Sequence, residues 1–445
     1  MAIATENLLG KARNGIELLR HSVVAMIACG TVIFGGLAVH QAASNDSIVV
    51  DPISVPTGFE GKGFSGAIAT QRILDEVSAI QALSNSRKRA VGIADKPLSD
   101  SVADLETPVG GVNFKSVANV IRQAMGKKVI RIAGEVVTKD GKEEGSKTFE
   151  LRLRRLPDRK ILASVESNGA PDDLFRLAAY ALIESFDPYT AARAYYRKKD
   201  IQNALRLIKV CLTNDDPEDD KWAWLLRASM DSDLGKFDDT LVDANAALKL
   251  DPQFSHGYFW QSVALRESKA PDKALIAAEE GIRLGPKFPG NYVQKGRALR
   301  DLGRHDEAIL SFDMAIKIDP SFPPAYNQSG LSLLKLKRWK EATDRFEHAV
   351  HLEPETAWFH SNLAEALHGQ GRSDEALKEL YLAESLDAAN PAFYVLAGTI
   401  EKSLGKNAEA VRSAASLRKL IDQEKKKIPT WATEDAEKLL ALLQK

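Results

Sequence analysis

Apolar positions follow four different patterns along the chain. From Ser22 to Val39, 18 residues carry no charge; as a helix rising about 1.5 Å per residue they would cover roughly 27 Å. This predicts a membrane-crossing helix over 22–40. Residues 41–65 then turn to Gly, Pro, Ser and Asp, with one short β-like run from Ile48 to Val50, and read as a linker entering a domain. Over 66–184 helical and strand periods mix. Helical spacing covers Gly66 to Leu83, opened by Ser65 as N-cap, and Phe114 to Met125, opened by Asn113 after the Gly110-Gly111 turn. Residues 84–108 read as a loop or edge segment. Alternation over 128–138, 147–155 and 160–166, divided by KDGKEEGS and by Pro157-Asp158, predicts a small antiparallel sheet, followed by a helix over 172–185.

The fourth pattern is a repeat. Pro252, Pro286, Pro320 and Pro354 stand 34 residues apart, and Ala274, Ala308, Ala342, Ala376 and Ala410 keep the same step. Small residues in first helices (Gly296, Gly330, Ala364, Gly398) are expected to face the alanines of the second helices and let the backbones approach. Tyr258, Tyr292, Tyr326, Phe312 and Phe346 supply bulk, and Gly303, Gly371 and Gly405 end first helices where a left-handed residue is favoured. These residues resemble those of tetratricopeptide repeats, pairs of antiparallel helices stacked into an array. The units run 185–218, 221–254, 255–288, 289–322, 323–356, 357–390 and 391–424, with only Asp219 and Asp220 inserted. The ends are degenerate: Cys211 and Thr240 take alanine places. Trp431 to Leu443 reads as an amphipathic capping helix over 425–445. The segments VPTGFEGKGFSGAIATQRILDEVSAI, GGVNFKSVANVIRQAMG, IAGEVV and SFDPYTAARAYY resemble membrane-anchored tetratricopeptide proteins of proteobacteria, which implies an envelope protein. The expected fold is therefore mainly α: a transmembrane helix, a small α/β domain over 66–184, and a seven-unit α-solenoid over 185–424 with its cap.

Charge orients the expected membrane helix without drawing the chain to nucleic acid. Lys11, Arg13 and Arg20 precede the apolar run and the next basic residue is Lys62, so residues 1–21 are expected to be cytoplasmic and the repeats periplasmic, with a cleaved signal peptide or a buried soluble helix as the alternatives. Against 61 acidic residues the chain has 60 basic ones, which provides no general attraction to nucleic acid. The clusters Arg87-Lys88-Arg89 and Arg152 to Lys160 are interleaved with or balanced by acids. With Cys29 in the apolar run and Cys211 in a repeat helix, no disulfide framework forms.

Candidate chemistry is sparse. Gly58, Gly61, Gly63 and Gly66 precede a helix, but no Gly-Lys pair is followed by Ser or Thr as in a phosphate loop. His348 and His351 share a helix face near His360 without a zinc motif around them. No catalytic, cofactor or metal residues are assigned. The family resemblance implies a groove lined by first helices, which here would place Trp222, Leu225, Ser229, His256, Phe259, Val263, Val293, Arg297, Arg300, Asn327, Leu331, Trp358, Ser361, Asn362, Glu365, Val395 and Thr399 on it. The lysine and asparagine clamp that some family members use for a peptide's terminal carboxylate is not reproduced. Arg297 and Arg300, one turn apart, would suit an acidic segment or be solvated surface arginines. Phe259 and Trp358 would seat apolar side chains of a peptide or serve inter-repeat packing. The reading is a membrane-anchored scaffold binding a protein or peptide partner in its groove. The alternatives are a sensor whose 48–185 domain binds a signal that the repeats relay, or a catalytic module whose substrate the repeats select.

Overall fold

In the computed structural model the described residues are 47–56, 64–84, 92–94, 129–140, 147–167, 171–213 and 217–423. The apolar run at 22–40, the helix expected at 114–125, the cap at 425–445, Gly58, Gly61, Gly63 and Arg87-Lys88-Arg89 lie outside them. Among the described residues no helix is long and apolar enough to cross a membrane.

The chain divides into two compact units between Asp219 and Asp220, at the two-residue insertion that interrupts the 34-residue register. The first unit contains β1 (Ser47–Val50), α1 (Gly66–Ser84), β2 (Gly92–Ala94), β3 (Val129–Asp140), β4 (Lys147–Leu156), β5 (Lys160–Ser167), α2 (Pro171–Phe186), α3 (Pro188–Arg197) and α4 (Ile201–Cys211). The strand order is β2-β1-β3-β4-β5. The three strands expected from alternation do pair antiparallel. The sheet is nevertheless mixed, because β1 pairs parallel with both β2 and β3. Local periodicity reports which face a strand buries, whereas the direction of a distant partner is set by chain topology.

Helices α1 and α2 pack together, and α2 also lies on β4 and β5. Ile73, Val77 and Ile80 of α1, Leu174, Phe175 and Ile183 of α2, and Ile132, Leu151 and Leu153 of the sheet are buried. Gly66 touches the Ile53 backbone so closely that a Cβ would lie 2.3 Å from its carbonyl oxygen, so this glycine is a packing residue. Two arginines of β4 are paired, Arg152 with Glu150 at 2.6 Å and Arg154 with Glu135 at 2.8 Å. Glu150 also accepts from Lys139 at 2.9 Å and from the Ser164 hydroxyl, and these donors, Arg152 first, hold its carboxyl well below the usual range.

The first helix pair, α3 and α4, belongs to this unit by packing. Asp187 and Asp200 cap its helices, accepting from Thr190 N and Asn203 N at 3.1 Å. Arg193 Nε donates to the Ser84 carbonyl at 2.6 Å, which ties α3 to the end of α1. Packing thus divides the chain one helix pair later than the 184/185 boundary taken from the repeat register.

The second unit is helical: α5 (Pro217–Asp233), α6 (Phe237–Leu250), α7 (Ser255–Glu267), α8 (Pro271–Leu284), α9 (Pro289–Asp301), α10 (His305–Ile318), α11 (Pro323–Lys335), α12 (Trp339–Leu352), α13 (Ala357–Gly369), α14 (Ser373–Leu386), α15 (Pro391–Ser403) and α16 (Asn407–Gln423). From α7 on, each first helix packs on its own second helix and on the second helix of the preceding pair, and those from α7 to α13 also pack on the next first helix. The alanines that mark the period, Ala274, Ala308, Ala342, Ala376 and Ala410, are fully buried. Two of the small first-helix residues, Gly296 and Gly330, also serve a second partner besides those alanines. A Cβ on Gly296 would lie 2.4 Å from the Phe312 ring, and one on Gly330 2.5 Å from Phe346, so each glycine makes room for an aromatic ring one turn beyond the alanine. Thr240, in an alanine place, is buried and bonds the Lys236 carbonyl at 3.0 Å, so its hydroxyl is satisfied inside its own helix.

Candidate binding groove on the first helices

Because first helices touch one another as well as their own partners, α7, α9, α11, α13 and α15 form a closely spaced inner row. Any face they share is the short, inward side of a stacked array. Side chains between adjacent first helices are unusually polar for a buried seam. Asn327 is fully buried and accepts from Asn362 Nδ2 at 2.8 Å. Its own Nδ2 has no partner, nor have Gln294 Oε1 and Ser329 Oγ, all on buried residues.

A cluster of charged side chains lies between α7 and α9. Arg266, with a side chain only 9% exposed, pairs with the adjacent Glu267 and, at 3.1 Å, with Asp301. Arg297 reaches the same Glu267 only loosely, at 3.6 Å. Arg300 donates through Nη1 to the amide oxygen of Gln328 on α11 at 2.7 Å. The Nε groups of Arg266 and Arg297 are buried without an acceptor. Burial first, then the neighbouring Arg266 and Arg300, push the Arg297 guanidinium down to about 10, and burial also lowers Arg300. Arg297 therefore remains a cation at neutral pH.

The sequence-derived groove residues therefore separate. Arg297 and Arg300 come together half-buried, which rules out the reading of solvated surface arginines. Asn327 and Asn362 pair with each other. Trp358 is 43% exposed, its ring 5.0 Å from Phe359, and Glu365 is exposed. Phe259 is not a free anchor: its ring packs against Trp260 and Phe288, with centroids at 5.1 and 5.6 Å. His348 lies beside the Tyr326 ring, and among the described residues no His, Cys, Asp and Glu group could hold a metal ion.

Sequence reasoning missed Arg266 and Gln328. The signal for the first was present, since Arg266-Glu267 and Arg300-Asp301 are the same dipeptide class 34 residues apart. Also missed was a hydroxyl ladder. Tyr258, Tyr292, Tyr326 and Tyr394 each donate to the carbonyl six residues earlier, at 3.1 to 3.2 Å, which fastens a first helix to the turn before it. In the remaining unit of this series His360 takes that place, with Nε2 2.8 Å from the Pro354 carbonyl and Nδ1 2.7 Å from Glu379.

Two family models match this part of the chain, a TPR repeat over residues 296–337 and a tetratricopeptide repeat over 327–392. Among curated proteins none matches the chain at significant similarity. Among solved structures the chain is similar to a thermophilic TPR protein of Thermus thermophilus, with 23% identity over 40% of this chain and 98% of that one and a TM-score of 0.37. It is also similar to MamA from Desulfovibrio magneticus, with 23% identity over 39% and 97% and a TM-score of 0.34. PilF of Pseudomonas aeruginosa aligns at 15% identity over 51% and 98%, with a TM-score of 0.42. With the 34-residue period, the stacked helix pairs and the two family models in agreement, the chain carries tetratricopeptide repeats.

Proposed function

We propose that the chain is a binding scaffold whose inner first-helix row holds a segment of another protein. One observation carries this reading: polar atoms of Gln294, Asn327, Ser329, Arg266 and Arg297 are buried without partners and gather on consecutive first helices. An unpaired buried polar group costs about 1–3 kcal/mol, so such groups are rare in a purely structural seam. An extended polypeptide brings backbone donors and acceptors, as well as side chains, to such a face. Trp358 adds an exposed aromatic of the type that dominates interface energetics.

The uncharged run at 22–40, with basic residues before it, supports a single N-terminal helix anchoring the scaffold in a bacterial inner membrane. The repeats would then act in the periplasm, within an envelope complex. The test is affinity capture from envelope extract with the full chain and with an Arg297→Glu, Arg300→Glu, Trp358→Ala variant. The folded variant is expected to lose partners that the parent retains. A variant that is folded and keeps every partner contradicts the groove assignment.

A further inference from the structure

We infer that Arg266, Arg297 and Arg300 form an anion seat that receives the carboxylate side chains of an acidic polypeptide segment. This deepens the groove reading and rests on it. The site is locally out of balance, with three guanidiniums meeting only two carboxylates, Glu267 and Asp301. Glu267 is shared by Arg266 and Arg297, and the fixed partner of Arg300 is the neutral amide of Gln328. In the next unit the position of Glu267 and Asp301 is taken by Lys335, which is exposed, so the register adds a cation where its neighbours supply acids.

The seat is built into the fold. The Arg266 side chain is nine-tenths buried, and its Nε has no acceptor within the protein. Arg297 has the same orphan Nε, while 26% of its side chain remains open to an incoming group. Holding like charges together under partial burial is unfavourable unless an opposite charge joins them. A guanidinium presents a planar fork that matches a carboxylate in two parallel hydrogen bonds. A polypeptide carboxylate fits better than a free anion because the polar seam continues from Arg300 through Gln328 on α11, the same helix as Asn327, to Asn362 on α13, giving the rest of a segment somewhere to lie.

The probe is a fluorescein-labelled hexaglutamate peptide, with hexaglutamine and hexalysine as controls, followed by fluorescence anisotropy with the purified full chain. Hexaglutamate is expected to bind in preference to both controls and to weaken as salt is raised. Arg300→Gln and Arg297→Gln are each expected to weaken it by about tenfold or more, with the melting temperature unchanged or raised because a like charge has been removed. Unaltered hexaglutamate affinity in both variants, or equal binding of hexaglutamine, overturns the inference. So does a fall in melting temperature in both variants, which would make the trio a structural ion network. Inorganic sulfate binding more tightly than hexaglutamate would make this a small-anion site and overturn the polypeptide assignment. If hexaglutamate fails to bind while the triple variant still loses its envelope partners, the acidic-segment inference falls and the groove reading stands.

Discussion

His360 shows how one substitution within a repeat changes its chemistry. Tyr258, Tyr292, Tyr326 and Tyr394 fasten their helices through a hydroxyl, whereas His360 does so through an imidazole. The two atoms facing the His360 ring, the Glu379 carboxylate and the Pro354 carbonyl, are both acceptors, so both ring nitrogens must carry protons to satisfy them. The bond to Glu379, supported by the Pro354 carbonyl and opposed by burial, raises the imidazole above its ordinary value. A folded-state value above the unfolded one contributes stability that is complete below the unfolded pKa of about 6.5 and is lost as pH rises through the folded value. The melting temperature should therefore fall as pH rises above about 6.5. His360→Tyr, which restores the ladder residue, should flatten that dependence, and equal slopes in the two proteins would contradict this account. Tyr258, Tyr292 and Tyr326 were legible in the sequence as bulk at a fixed register. Their hydroxyl bonds were not, because the acceptor carbonyl lies in a turn that only the stacked structure brings near.

At the scale of elements, the turn inside each helix pair explains much of the period. Gly235, Lys269, Gly303, Lys337, Gly371 and Gly405 recur every 34 residues, and all have positive φ, between 57° and 82°. Glycine takes this left-handed conformation freely, whereas a residue with a Cβ pays about 1–2 kcal/mol for it. An added Cβ meets nothing within 4 Å at Gly303, Gly371 or Gly405, so the turn demands glycine by its backbone and not by crowding. Lys337→Gly should accordingly stabilise the protein by about 1 kcal/mol, net of the extra chain entropy of glycine. An unchanged or lowered melting temperature would show that Lys337 is not strained. Three of these glycines were readable as helix stops, but the lysines in the same register were not, since lysine carries no turn signal of its own. The sheet divides similarly. Alternation located β3, β4 and β5, whereas the three-residue β2 and the parallel pairing of β1 depend on partners distant in sequence.

For the whole molecule, the period laid out the helix pairs, and the inserted Asp219-Asp220 marks where the two compact units divide. Placing the first pair with the α/β unit required the packing of α3 on α1 and α2. The row of first helices was legible in the register, while the burial and polarity of its side chains were not. Burial decides that Arg297 and Arg300 are not solvated charges, and that Phe259 is packed between rings while Trp358 is partly exposed. The central claim is that the first-helix row is where a partner polypeptide lies. Its most direct measurement is photocrosslinking in cells, with p-benzoylphenylalanine placed in turn at Trp358 and Glu365 on the inner row and at Ile276 and Leu310, both exposed on second helices. The account predicts a discrete crosslinked protein from the inner positions and none from the outer ones, whereas the same product from Ile276 and Leu310, with none from Trp358 and Glu365, would contradict it.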